Sequence, residues 1–137
     1  MRKLILFFLL FTQSVLAEEL AFVSNQLDNS VSVIKVADST VVATIPVPGK
    51  PAGVAINHVK HKAYISTPEQ GGFAIIDIPA LKLTHQIKVG GASLGICVDH
   101  KGQRIFVADW YENTVAVFDS DSLERLQTIT VGKSPSG

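Results

Sequence analysis

Short apolar runs, each closed by a polar turn, alternate along the chain from Ala21 to its end. Ala63–Ser66 is followed by a loop at Thr67–Gly72, a second apolar run Phe73–Ile78, a more polar segment Leu83–Val89, and Gly95–Val98. The same order appears, ungapped, 42 residues earlier at 21–62 and 42 residues later at 105–137. Ten of the 33 positions that align the first copy with the third are identical, among them Phe22/Phe106, Val33/Val117, Ile45/Ile129 and Gly53/Gly137. Chance pairing at average composition gives roughly two.

The first two copies predict four strands each, and the third predicts three. Ala21–Ser24, Ala63–Ser66 and Ile105–Ala108 are β-branched and aromatic, as are Val31–Val36, Phe73–Ile78 and Val115–Phe118. Between them lie turns rich in Asn, Asp and Gly. The third strand, Val41–Val47, Leu83–Val89 or Arg125–Val131, alternates apolar with polar residues, with one slip in register. Pro48–Pro51, Gly90–Ser93 and Gly132–Pro135 turn the chain, and a fourth strand follows at Gly53–Ile56 and Gly95–Val98. A period of this length built from short strands predicts an all-β fold of β-propeller blades, each of four antiparallel strands.

The pattern also orders the strands from axis to rim. Gly53–Ile56 and Gly95–Val98 carry small residues at alternate positions, as strands converging on a channel require. The second strands are apolar on both faces, which suits a sheet packed between two neighbours. The third is the most polar, as an outer edge should be.

Phe22-Val23-Ser24-Asn25, Asn29–Ile34, Val41–Val47 and Pro51–Ile56 resemble the repeat of the YVTN β-propeller family. That repeat combines an aromatic-Val-Thr/Ser-Asn strand, an N-T-V-S-V-I-D strand, a V-V-A-T-I-P-V-G strand and a P-x-G-V-A-V strand. The name-giving Asn survives as Asn25 and becomes Thr67 and Asp109; the Asp after the second strand is present as Asp77 and Asp119 but is Lys35 in the first copy. The resemblance implies an exported, seven-bladed propeller, often associated with periplasmic redox systems. Relatives of the family include dehydrogenase subunits and heme-binding nitrite reductase domains. Two and three-quarter blades do not close a ring of four to eight, so 18–137 is expected to be an open fragment, about three blades of a longer protein. Blade one is expected to lack its innermost strand. The terminal blades are expected to leave unpartnered faces to which Val31, Val33, Ile34, Val115, Val117 and Phe118 contribute, so that missing blades or self-association must cover them.

Met1–Ala17 stands outside the repeat. Arg2 and Lys3 precede the apolar run Leu4–Phe11, and Val15-Leu16-Ala17 offers small residues for cleavage. This is the pattern of a secretory signal peptide, too short for a span of about 20 residues. It predicts a periplasmic or secreted protein with no stable membrane anchor after cleavage. Without the leader the chain carries ten Lys plus Arg against twelve Asp plus Glu, which leaves no basic footprint for nucleic acid. Cys97 is the only cysteine, so no internal disulfide forms.

Candidate chemistry is sparse. His58 and His61 form H-x-x-H in a turn, without the helical face that zinc hydrolases use. His100 repeats His58, and His85 falls on an outer strand. Cys97 aligns with Ala55 and reads as a small buried core residue; no C-x-x-C-H is present for covalent heme. Asp77 and Asp119 recur at one repeat position and read as acceptors for backbone N–H groups of the next turn. No catalytic residue, metal ligand or cofactor-binding residue is assigned, and no cofactor is expected in this segment. The position singled out is Asp109-Trp110-Tyr111-Glu112, an aromatic insertion in a hairpin loop that reads Asn25-Gln26-Leu27-Asp28 in the first copy. Adjacent Trp and Tyr supply amphipathic area suited to a protein or small-molecule ligand on the loop face. The expected function is therefore a binding or scaffolding module. The alternatives are the N-terminal part of a periplasmic redox propeller, quinoprotein- or heme-associated, and a lactonase-like hydrolase with a metal in the channel.

The exported product should begin at Glu18, which intact-mass measurement of the secreted protein reads directly. Retention of Met1–Ala17 in a membrane fraction would contradict the leader assignment.

Overall fold

The computed structural model describes residues 18–137; the leader and its cleavage point lie outside the described residues. Three antiparallel sheets follow one another. The first holds β1 (Leu20–Asn25), β2 (Ser30–Lys35) and β3 (Thr40–Pro46). The second, in the order β4-β5-β6-β7, uses Val54–Asn57, Lys62–Thr67, Gly72–Asp77 and Lys82–Lys88. The third, β8-β9-β10-β11, uses Ser93–Val98, Arg104–Asp109, Thr114–Asp119 and Arg125–Thr130. The sole helical feature of the described residues is a 3-10 turn at Pro68–Gln70. These are propeller blades, and the first has three strands because the fourth strand of each sequence repeat pairs with the copy that follows it.

The slip in the outer strands is a β-bulge repeated in every blade. Register shifts between Val33 and Ile34, between Ile75 and Ile76, and between Val117 and Phe118, positions 42 residues apart. The extra outer-strand residue in blade 2 is Thr84, whose hydroxyl donates to the Ile75 carbonyl at 3.1 Å. A bulge adds local twist and returns the rest of the strand's apolar residues to the faces they must cover. The hairpin turn beyond it repeats too: Ser39, Leu81 and Leu123 all take φ near +50 to +60°. Leu81 and Leu123 tolerate this conformation while packing against the two cores.

Those cores are the spaces between blades. In the first, Val31, Val33, Ile45 and Val47 of blade 1 meet Ala63, Ile65, Ala74 and Ile76 of blade 2. In the second, Ala55, Tyr64, Phe73 and Ile75 of blade 2 meet Ile105, Val107, Ala116 and Phe118 of blade 3. Alternation along β5 and β6 thus sends odd and even positions to different neighbours. Phe73 bridges the second core edge-to-face with Tyr64 (6.3 Å between centroids) and with Phe118 (5.3 Å).

This corrects part of the expectation for the terminal blades. Val31, Val33 and Phe118 are buried against blade 2, and the outward faces carry other residues of the same strands. On blade 1 the face turned away from blade 2 presents Val23, Ile34 and Val41; on blade 3 it presents Phe106, Val115 and Ile129. Val117 shares that second face yet is itself buried.

Polar clamps join the blades toward the inner strands. The Ser24 hydroxyl donates to the Ala52 carbonyl (2.6 Å), and Ser66, one repeat later, donates to Leu94 (2.5 Å). Ser66 Oγ also accepts the Gly53 N–H at 2.7 Å. At the opposite end, buried Asn57 donates to the Gly102 carbonyl of blade 3 at 2.9 Å.

Ser66→Ala should lower stability by about 1 kcal/mol or more, because it removes the partner of two part-buried groups, the Gly53 N–H and the Leu94 carbonyl. Ala108 occupies the equivalent position in blade 3, so a clash does not confound the result. Urea denaturation checks it, and an unchanged midpoint would mean that the clamp contributes nothing.

Candidate functional site

The hairpin loops after β1, β5 and β9 and the connections after β3, β7 and β11 lie on one face, where hydrogen bonds fasten them together. Asn29, in the left-handed region at φ +50°, accepts the Gly49 and Lys50 N–H groups through Oδ1 at 3.1 and 2.9 Å. Asn113 repeats this with the Ser134 N–H at 2.9 Å. In the second blade the same backbone position is Gly71, φ +59°, where no side chain is available and the carbonyl accepts both Val89 and Gly90 N–H groups at 2.9 Å. Glycine and asparagine are the residues that adopt this conformation at least cost.

Asp109, Trp110, Tyr111 and Glu112 sit on this face but do not act as one cluster. Asp109 ends β9 and is 4% exposed. Its Oδ1 accepts the N–H groups of Ala92 (3.2 Å), Tyr111 (3.1 Å) and Glu112 (3.2 Å). It is the anchor of the loop, turned inward. The Trp110 N–H donates to the Ala92 carbonyl at 3.0 Å, which ties the loop to the start of the blade's innermost strand. Trp110 is 37% and Tyr111 73% exposed, and neither joins the ring contacts that link Tyr64, Phe73 and Phe118. Glu112 is exposed beside them. The tip is therefore an aromatic pair on a loop with a fixed base.

Three of the four histidines occupy the opposite ends of the blades, at turns, as their sequence context implies: His58 and His61 join β4 to β5, and His100 lies between β8 and β9. His85 is exposed on β7. No group of three or more side chains among the described residues is arranged to hold a metal ion. Asp77 and Asp119 are turn acceptors. Asp77 is ion-paired with Lys62 and accepts the Ala80 N–H; Asp119 accepts the N–H groups of Asp121 and Ser122. These bonds hold both carboxyls below the usual range, through Lys62 first for Asp77 and through the Ser122 and Asp121 N–H groups first for Asp119. Asp99 is lowered in the same way by backbone N–H groups of Arg104 and Gln103.

Two features were not legible from the residues. A cavity of about 500 Å³ opens at the seam of blades 1 and 2, with Leu20, Phe22, Ile56 and Ile78 as its apolar walls and Glu18, Glu19, His58 and His61 around them. It follows from the three-stranded first blade, whose β1 has no inner neighbour among the described residues; nothing in the H-x-x-H spacing itself signals it. Cys97 corrects its expected burial: it is exposed, on the outward face of blade 3, although partial desolvation still raises its thiol pKa. Its repeat partner Ala55 is buried because blade 3 covers it.

No protein-family model matches the sequence, and no curated protein does. Solved structures do. Hydrazine synthase of Kuenenia stuttgartiensis is similar at a TM-score of 0.78 and 25% identity, over 83% of this chain and 33% of that one. Apo AztD from Citrobacter koseri gives 0.74 at 19% identity, over 88% and 34%. The dihydro-heme d1 dehydrogenase NirN, in complex with DHE, gives 0.75 at 19% identity, over 85% and 26%. The chain spans about a third of the length of the first two and about a quarter of the third. These likenesses agree with the propeller architecture. No helix of the described residues is long and apolar enough to cross a membrane.

Proposed function

We propose that the chain is an exported YVTN-type propeller segment that binds a protein or small-molecule ligand on its loop face, without catalytic residues of its own. The observation that carries this reading is the Trp110–Tyr111 pair, exposed on a loop whose base is held by the buried Asp109 carboxylate. Large aromatic side chains on a fixed backbone lose little entropy on binding, and such residues dominate binding energy at interfaces. The equivalent loops present Gln26-Leu27 and Pro68-Glu69, so the aromatic pair is particular to blade 3. Export rests on the Arg2–Ala17 pattern of charge, apolar run and small residues.

A second reading is favoured by two of the likenesses, hydrazine synthase and a dihydro-heme d1 dehydrogenase. In it the chain is part of a redox propeller, heme- or quinone-associated, whose cofactor ligands lie in other blades. The loop pair would then have no ligand of its own to hold.

The wild-type chain and a Trp110→Ala, Tyr111→Ala variant, each immobilised, separate the two readings. Loop-face binding requires a partner retained by the wild type and at least tenfold weaker on the variant, a loss of about 1.4 kcal/mol or more, with unchanged far-UV circular dichroism. Equal retention by both proteins would overturn the loop-face reading.

A further inference from the structure

Each blade ends in an outer strand, β3, β7 or β11, that has a partner on one side only. Blades meet face to face, so this edge stays at the rim whatever packs against the faces. The backbone groups that leave the edge are identified by those that turn inward. Val47, Val89 and Val131 donate their N–H groups to the carbonyls of Asn29, Gly71 and Asn113, at 2.7, 2.9 and 2.9 Å. The N–H and C=O of one residue point to the same side of an antiparallel strand, and successive residues alternate. Pro46, Lys88 and Thr130, one position earlier in each blade, therefore face out of the edge.

The three blades treat this position differently. Pro46 has no N–H to offer, and Lys88 keeps a charge at the edge of blade 2, with Lys82 at the other end of the same strand. Proline and lysine are the residues that blunt a sheet edge. Blade 3 has neither. Thr130 and, two residues before it, Thr128 are exposed and leave N–H and C=O open to the rim. The one charged residue of β11, Arg125, is drawn off the edge: its guanidinium donates to the Val89 carbonyl and lies 5.4 Å from the centre of the Phe118 ring. The bulge opposite Val117 and Phe118 leaves Gln127–Thr130 as the regular part of the edge, a run without charge or proline.

We propose that the outer edge of β11 is a strand-addition site: an extended segment of a partner polypeptide joins blade 3 as a fifth strand and exchanges backbone hydrogen bonds with Thr128 and Thr130. In this mode the main chain supplies affinity and the side chains along the strand supply specificity. The cross-strand neighbours on offer are Thr128, Ile129 and Thr130. Threonine and aliphatic β-branched residues pair best with such neighbours, so the segment is uncharged and β-branched. A regular edge of four residues is about 13 Å long. That is far short of the area that holds two folded copies together, and it selects a single extended segment over a second copy of this chain. The inference is independent of the loop-face reading, since it uses neither Trp110 nor Tyr111.

Titration of the isotope-labelled chain with a capped peptide of alternating valine and threonine, carrying a lysine at each end for solubility, tests it by amide NMR. The amides of Thr128 and Thr130 should shift saturably and exchange with solvent more slowly when the peptide is bound. Thr130→Pro should weaken binding by about fivefold or more, the worth of one backbone hydrogen bond. The sheet should survive this change, because the lost N–H points outward and Pro46 holds the equivalent place in blade 1. Should Thr130→Pro lose its β-sheet circular dichroism, Thr128→Lys, which sets a charge on the edge, replaces it. The same peptide methylated on alternate backbone nitrogens should not bind. No saturable shift at millimolar peptide, equal shifts along the edges of β3 and β7, unchanged affinity in the variant, or equal binding of the methylated peptide would overturn the proposal.

Discussion

Everything in this chain depends on one constraint: a blade is a single sheet, and a single sheet cannot bury both of its faces by itself. Blade 2 solves this by alternation, with Ala63, Ile65, Ala74 and Ile76 turned to one neighbour and Tyr64, Phe73 and Ile75 to the other. The residues of each core come from two adjacent blades, so hydrophobic burial in this fold is a property of pairs of blades. The terminal blades have the same alternation but only one neighbour each within the chain. Their outward residues, Val23 and Val41 at one end and Ile129 at the other, remain exposed for that reason alone.

The polar groups follow the same logic. Because faces must meet in register, the backbone is tied at each junction by Ser24 or Ser66 at one end, and at the junction of blades 2 and 3 also by Asn57 at the other. The loops inherit this order. Asn29 and Asn113 pin connections to hairpins, and Asp109 pins its own hairpin to Ala92. An exposed aromatic pair on so constrained a loop differs from an aromatic pair on a floppy one: its binding geometry is set before any partner arrives.

What the sequence revealed was whatever repeats. The period and the slip in each outer strand are written three times over and the fourth strand twice, from which the absent strand of the first blade follows; a bulge at Val33, Ile75 and Val117 is the physical form of that slip. Asp77 and Asp119 were readable as turn acceptors for the same reason. What stayed hidden depends on which side of a sheet a residue faces at an end of the array. Val31, Val33 and Phe118 were expected on open faces and lie in the cores, while Cys97 was expected to be buried and is exposed. Strand alternation fixes that two residues face opposite ways, but not which way points to the neighbour. The inward turn of Asp109 was hidden too, since Asn25, Thr67 and Asp109 share a position without sharing chemistry. The Glu18–His58 cavity needed the packing of two blades to exist at all.

Val31 and Val115 are the same residue at the same repeat position, and only their neighbours differ: Val31 is fully buried against blade 2, and Val115 faces outward from blade 3. Truncating each to alanine and measuring unfolding free energy in urea, at dilution where the chain is a monomer, isolates the contribution of a neighbouring blade. The account predicts that Val31→Ala costs about 2 kcal/mol or more, from lost transfer energy plus a cavity, and that Val115→Ala costs less than about 1 kcal/mol. Equal costs at the two positions would show that each blade is stabilised from within, and would contradict the dependence of this fold on packing between blades.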